Sequence, residues 1–117
     1  MRSSCWSDVP LPRKKPKLIL EHATLTIRPD GHEAFLAAFP QIRAHLVASR
    51  GCRSVDLYPS VDREDVYLLR VAWDTLEDHT EVFPGSEHGR AVLAELQDHV
   101  QSLDIVHFGG VPVSTSA

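Results

Sequence analysis

Residues 65–73 read DVYLLRVAW, and this run decides the fold. Its β-branched and aromatic residues predict a β-strand, in which successive side chains point to opposite faces. Both faces are apolar: one carries Tyr67, Leu69, Val71 and Trp73, and the other carries Val66, Leu68 and Ala72. An antiparallel strand with one face in water would alternate apolar with polar residues. We therefore expect both faces of this strand to be covered.

The segments around this strand predict the order strand, helix, strand, strand, helix, strand. The strands are expected at residues 18–27, 52–58, 65–73 and 103–108. This order is that of the ferredoxin-like split βαβ pattern. It predicts an α+β fold in which helices cover one face of a four-stranded antiparallel sheet.

The helical segments have identifiable ends. A first helix over residues 32–49 is indicated by one apolar stripe, with Asp30 as N-cap, Gly51 as stop and Pro40 as a kink or restart. The stripe consists of Phe35, Phe39, Ile42 and Leu46. A short helix over residues 75–83 is expected to stop at Pro84-Gly85. Ser86 is the expected N-cap of a further helix, whose apolar face carries Val92, Leu93, Leu96 and Val100.

The helices cover only one face of the sheet, so the other apolar face needs a different partner. A second copy of the same sheet is the simplest candidate, and we predict a homodimer. Arg70 is the one charge inside the apolar run. A buried cation needs a partner, so Arg70 is expected either to pair across the dimer or to bind an anionic ligand.

Bulk properties set limits on the class of protein. The chain has 117 residues, of which 43% are hydrophobic, which fits one small globular domain. We expect this domain at residues 18–108, an extended arm at 1–17 and a tail at 109–117. A formal net charge of −4 argues against a nucleic-acid partner. No apolar run approaches the ~18 residues that span a bilayer.

Neither a secretory signal nor a metal site is indicated. The first residues lack the continuous apolar stretch of a signal peptide, so a cytoplasmic location is expected. Cys5 and Cys52 are far apart, and the seven histidines show no metal-binding spacing. No nucleotide- or flavin-binding glycine motif occurs either. We therefore predict neither a metal nor a cofactor.

Several short motifs carry a family resemblance. They are Arg28-Pro29-Asp30-Gly31, Arg50-Gly51-Cys52, Val71-Ala72-Trp73-Asp74, Leu76-Glu77-Asp78-His79, Phe83 with Ser86, and Val106-His107-Phe108. With them, residues 18–108 resemble the antibiotic biosynthesis monooxygenase family of dimeric α+β barrels. The resemblance implies two sheets packed face to face across a dimer. It also implies oxygenase chemistry, since many members are described as cofactor-independent oxygenases of polycyclic aromatic or quinol substrates and others degrade haem.

The chain departs from the family pattern in one respect: it contains no asparagine. The resemblance places an asparagine near the tryptophan in both the haem-degrading and the polyketide-oxidising branches. The first strand offers His22 instead, and His79 follows Trp73 by only six positions. Haem degradation is therefore not expected.

The candidate site residues surround Trp73. Trp73 is expected to line a pocket and stack on a planar substrate, with Phe83, Tyr67 and His107 as further contacts. His79 is expected to point inward with Leu76 and Phe83, and it could deprotonate a phenol or quinol. The alternative for His79 is a structural histidine bonded to a backbone carbonyl.

His22 is the second candidate for proton transfer. Together with His107 it lies on strands that neighbour each other, so the two could form a proton-handling pair. A register slip of one residue would put them on opposite faces, and both could equally be structural.

Two functions follow from these residues. The first is a cofactor-independent monooxygenase of a phenolic, quinol or polycyclic aromatic small molecule, in which His79 and His22 are catalytic. The second is a non-catalytic dimeric barrel that binds a small apolar metabolite. Oxygen consumption on a panel of quinols and anthrones distinguishes them.

Overall fold

One four-stranded antiparallel sheet organises the chain in the computed structural model, which describes residues 18–113. The sheet order is β2-β3-β1-β4. The elements are β1 (Ile19–Ile27), α1 (His32–Val47), β2 (Cys52–Pro59), β3 (Val66–Trp73), a π-helical turn (Asp78–Val82), α2 (Phe83–Gly85), α3 (Glu87–His99) and β4 (Val100–Gly109). The predicted α+β fold and its order of elements are confirmed. The predicted arm at residues 1–17 lies outside the described residues.

The core lies between one face of the sheet and the helices. Every second residue of β1 and β3 is buried there, including Leu25 and Val71, which are fully enclosed. Phe35, Ile42 and Leu46 of α1 pack against these strands from above, and Val92 joins them from α3. Large apolar side chains each stabilise the fold by roughly 1.5–3 kcal/mol when fully buried. This face therefore supplies most of the hydrophobic stabilisation.

The strand register decides which residues share a face. Residues directly opposite each other in an antiparallel pair point to the same side. Glu21 of β1 is opposite Val71 of β3 and His107 of β4, and these three face the helices. His22 is opposite Arg70 and Val106, and it faces away from the helices. Of the two alternatives left open for His22 and His107, the register excludes a pair, because it puts them on opposite faces.

The ends of α1 differ from those expected. Gly31 precedes the first turn without a side-chain cap, while Asp30, the predicted N-cap, lies in a turn with φ of 63°. The helix ends at Val47, two residues before the predicted end at residue 49. It also continues through Pro40 without a restart.

The segment after β3 is not the expected α-helix. Asp78–Val82 forms a π-helical turn, in which the backbone N–H of Phe83 donates to the carbonyl of Asp78 five residues earlier. Pro84 and Gly85, predicted to stop the helix, lie inside α2. Ser86 is confirmed as an N-cap, since its Oγ accepts a hydrogen bond from the Gly89 N–H at 2.9 Å. The last strand begins at Val100, which was expected on the helix.

Gly51 lies in the turn that follows α1 and packs against Asp78 of the π-helical turn. Its φ of +82° lies in the left-handed region that suits glycine, and a Cβ at this position would lie 2.1 Å from Oδ2 of Asp78. Asp78 is buried, and its carboxylate lies 3.6 Å from the guanidinium of Arg50. The turn before β2 and the π-helical turn therefore constrain each other.

Gly51→Ala is expected to destabilise the protein by about 2 kcal/mol or more, because it adds left-handed strain to a clash with Asp78. Urea unfolding measures the change in the free energy of unfolding. Gly85→Ala is the matched control: a Cβ there meets nothing within 4 Å and stands in a helix. Equal unfolding midpoints for the two variants would contradict this account of Gly51.

Candidate active site

His79 enters the site from the π-helical turn. Its imidazole stacks on the indole of Trp73, with ring centroids 5.2 Å apart and planes inclined by 16°. The side chain is 12% exposed, so the predicted inward orientation is correct. The helical spacing from Leu76 does not explain this orientation, because Leu76 is exposed and does not lie on the same face as His79. An α-helical spacing does not apply within a π-helical turn, a feature that is frequent at functional sites.

Trp73 lies behind His79 rather than in a pocket wall. It is fully buried, and it is not among the residues that line the cavity described below. Its Nε1–H donates a hydrogen bond of 2.9 Å to Oε1 of Glu21. Trp73 thus positions two polar groups, His79 by stacking and Glu21 by hydrogen bonding.

Glu21 is the residue that sequence reasoning missed. It occupies a core-facing position of β1, between Ile19 and Ala23, and is only 5% exposed. Its Oε1 also lies 3.3 Å from Nε2 of His79. The available signal was the alternation of β1, in which Glu21 is the only charged residue on the helix-facing side. A carboxylate at such a position is costly unless it is hydrogen-bonded.

His107 completes the group from β4. Its Nε2 lies 2.8 Å from Nδ1 of His79, so that one of the two nitrogens donates and the other accepts. The side chains of Glu21, His79 and His107 therefore form a continuous polar chain inside the core. His107, predicted as a substrate contact, is bonded to His79 instead and does not line the cavity.

Burial sets the charge state of this chain. It raises the pKa of Glu21 to about 7, with the Trp73 hydrogen bond opposing part of the rise. It lowers the pKa of His79 to about 4, and the neighbouring His107 lowers it further in the same direction. At neutral pH, His79 is therefore uncharged while Glu21 is near its titration midpoint. With a neutral imidazole, the 3.3 Å approach of Nε2 of His79 to Oε1 of Glu21 is a close polar contact rather than an ion pair.

An apolar cavity of about 190 Å³ adjoins Glu21 and His79. Among the described residues that line it, only these two carry polar side chains. The apolar lining comes from the sheet and all the helices, and includes Leu46, Leu69, Phe83, Val92, Leu96 and Ile105. An apolar cavity of about 150 Å³ is enough to hold benzene. The size therefore suits one substituted aromatic ring.

Two predicted site residues lie elsewhere. His22 is on the opposite face of the sheet, where its ring meets Phe108 at 4.9 Å and its Nε2 is buried without a hydrogen-bond partner among the described residues. Tyr67 lies at the far end of β3 from Trp73. Its hydroxyl bonds to Nε2 of His32 and its ring packs on Phe35. Phe83 lines the cavity, 5.3 Å from the Trp73 ring, as expected for a substrate contact.

Residues 18–113 contain neither a metal-ligand cluster nor a membrane-spanning helix. There, no three or more His, Cys, Asp and Glu side chains are grouped so that they could hold a metal ion. No helix in that range is long and apolar enough to cross a bilayer. The location of the protein in the cell stays a prediction.

A four-stranded antiparallel sheet covered on one face by helices defines a small α+β protein of the ferredoxin-like class, with a partly enclosed apolar cavity beside Glu21 and His79. The model of the antibiotic biosynthesis monooxygenase family matches residues 18–95. The chain belongs to this family, as its motifs predicted.

Known relatives agree with this assignment. The uncharacterized protein YczJ of Bacillus subtilis (strain 168) is 36% identical over 69 residues, which cover 59% of this chain and 73% of YczJ. A crystal structure from Bordetella bronchiseptica that carries the same family name is 25% identical, with a TM-score of 0.76 over 82% of this chain and 99% of its own. SnoaB from Streptomyces nogalater, described as a cofactor-independent oxygenase, shares the fold with a TM-score of 0.70 at 12% identity, covering 83% of this chain and 96% of SnoaB.

Glu21→Gln is expected to stabilise the protein above neutral pH. The raised pKa means that wild type loses stability as pH rises from 4.5 through about 7, because the buried carboxyl must ionise. Glutamine keeps an acceptor for Trp73 without this loss. The variant should gain up to about 3 kcal/mol at pH 8 and nothing near pH 4, measured by urea unfolding across pH. Glu33→Gln, at an exposed position, is the control.

His79→Gln is expected to show the opposite dependence on pH. Because burial lowers the pKa of His79 from 6.5 to about 4, wild type loses stability as pH falls through this interval. The variant lacks that loss, so its advantage over wild type should grow as pH falls from 7 to 4. The same unfolding series tests it, and a difference independent of pH would contradict the neutral, buried imidazole.

Proposed function

We propose that this chain is a cofactor-independent monooxygenase that oxidises a small phenol or hydroquinone in its cavity. The observation that carries the proposal is the placement of Glu21 and His79 as the polar groups of an otherwise apolar, partly enclosed cavity. Family membership supports it, and SnoaB is a relative in fold for which such chemistry is described.

The chemistry needs few groups from the protein. A deprotonated phenol or hydroquinone is electron-rich enough to reduce dioxygen directly. One oxygen atom enters the ring, the other leaves as water, and a phenol becomes a quinone, so the electrons balance without an external reductant. The protein then supplies a base, an orientation and a dry environment.

The cavity favours a narrower substrate class than the sequence suggested. With a volume of about 190 Å³ it fits a single ring with small substituents, whereas a polycyclic substrate is larger. Phe83 offers an aromatic edge or face to such a ring, and the aliphatic lining excludes water. A planar monocyclic phenol meets both the size and the chemistry of the site.

The expected result is oxygen consumption by wild type with substituted hydroquinones and monocyclic phenols, and much less with anthrones. Glu21→Gln should lower the rate by roughly a hundredfold or more, as removal of a general base commonly does. Glu33→Gln is the control, because Glu33 is exposed and lines neither the cavity nor the open groove. An oxygen electrode measures the rate. If wild type binds these phenols without consuming oxygen, the non-catalytic binding function replaces this one.

We also propose that the chain forms a homodimer through the sheet face opposite the helices. Tyr58, Val106 and Phe108 expose 44%, 45% and 49% of their surfaces there, beside the partly buried Leu68. Arg70 and His22 lie in the same open groove, and Arg70 makes no ion pair within the described residues. A second copy would cover this apolar surface and offer acceptors to both side chains.

Leu68→Glu is expected to weaken the dimer at least roughly tenfold, since it places an unpaired charge in the apolar contact. Light scattering after size exclusion at micromolar concentration measures the mass. Val61→Glu is the control, because Val61 is 97% exposed in a loop. A wild-type monomer at this concentration would refute the proposed dimer.

A further inference from the structure

The polar chain of Glu21, His79 and His107 has two different ends, because Glu21 lines the cavity and His107 does not. Glu21 and His79 both line the cavity, whereas His107 does not line it and is bonded behind His79. Both ring nitrogens of His79 are engaged: Nε2 lies 3.3 Å from Oε1 of Glu21, and Nδ1 lies 2.8 Å from Nε2 of His107. A neutral imidazole has one lone pair, and the tautomer in which Nδ1 accepts a hydrogen bond from His107 leaves none for a ligand.

The carboxyl of Glu21 is engaged on one side only. Oε1 accepts the Trp73 N–H and faces His79, whereas Oε2 makes no hydrogen bond within the described residues. Since Glu21 is part of the cavity lining, a ligand hydroxyl can meet this oxygen. The geometry thus separates a group that holds the site from a group that reacts.

We propose that Glu21, and not His79, accepts the proton of a phenolic ligand, and that His79 and His107 are positioning residues for its carboxylate. The proposal rests on the proposed function in taking a phenol as the ligand. In the step, the ligand O–H bond breaks, a bond forms between its hydrogen and Oε2 of Glu21, and the electron pair stays on the ligand as phenolate. No redox change is involved.

The tautomers of the two histidines follow from this assignment. An ionised Glu21 needs a donor facing Oε1, so His79 carries its proton on Nε2. Its Nδ1 is then an acceptor, and His107 donates to it from Nε2. The reverse tautomer would set the Nε2 lone pair against the carboxylate. His107 therefore fixes the tautomer of His79, and His79 in turn holds the carboxylate of Glu21.

The electrostatics of the site agree with these roles. Burial raises the pKa of Glu21 to about 7, so that the carboxylate gains basicity yet is still available near neutral pH. The pKa of His79, lowered to about 4, makes its imidazole a weak acceptor. The groups facing Glu21 are the neutral Trp73 and His79, so no cation next to it offsets the cost of ionisation.

The test measures proton uptake when the full chain binds 4-nitrophenol, a coloured phenol that is ionised above neutral pH. At pH 8 to 8.5 both Glu21 and the free probe are ionised, so binding the phenolate beside a protonated Glu21 takes up one proton. Calorimetric titration in two buffers of different ionisation enthalpy gives the number of protons. We expect about one for wild type and none for Glu21→Gln.

Variants of the histidines separate the two possible acceptors. His79→Gln should keep an uptake of about one proton, because glutamine can still donate to Glu21. His107→Leu should also keep an uptake of about one proton. The pH at which this uptake begins should be higher, because without His107 the tautomer of His79 that donates to the Glu21 carboxylate is no longer fixed. Glu33→Gln, at an exposed position outside the cavity lining, is the control and should match wild type.

The outcomes decide between the assignments. Uptake lost in His79→Gln and kept in Glu21→Gln would overturn the proposal in favour of His79. A wild type that fails to bind the probe would overturn it as well, because the cavity would then not be a phenol site. Proton uptake without oxygen consumption on any phenol would leave Glu21 as the acceptor and remove only the oxygenase function. Circular dichroism of each variant confirms that it is folded.

Discussion

The hydrogen bond from the Trp73 indole to Glu21 organises the site, because the same tryptophan also stacks on His79. A neutral donor is important here. An arginine or lysine beside Glu21 would favour the charged carboxylate and lower its pKa, which would make it a weaker base. The indole N–H donates a hydrogen bond to the buried oxygen of Glu21. This bond offsets only the smaller part of the free-energy cost of burying the negative charge. The result is a carboxyl group that titrates near neutral pH inside an apolar core.

The π-helical turn gives His79 its position. A regular helix after β3 would direct the imidazole by the angular spacing of an α-helix, and Leu76 would then be buried with it. In the structure Leu76 is exposed, while Asp78 is buried against the turn at Gly51. The close fit of Asp78 to a residue without a Cβ therefore links the α1–β2 turn to the orientation of His79. A glycine 28 positions before His79 in the sequence is therefore part of the support of the site.

Sequence patterns predicted the order of elements well, because strand and helix periodicities are local properties of long apolar segments. They did not predict Glu21, because a single charged residue in an apolar series carries no periodic signal of its own. The role of Glu21 becomes apparent only from the strand register, which places it opposite His107. Similarly, Trp73 was correctly associated with His79, but whether the ring lines a cavity or lies behind it depends on packing between distant segments. The inward direction of His79 was predicted from an α-helical spacing that this turn does not have.

Adjacent residues of β1 lie in two different environments, one on each face of the sheet. Glu21 and His22 are adjacent, but the period of two puts the carboxyl in the core and the imidazole in the outer groove. Because β1 is hydrogen-bonded to β3 on one side and β4 on the other, the backbone at Glu21 belongs to the most constrained part of the sheet. The carboxylate is thus carried by a rigid element, whereas His79 and Phe83 come from short turns. Any adjustment of the cavity to a ligand must therefore come from the helical side, with the position of Glu21 as its fixed reference.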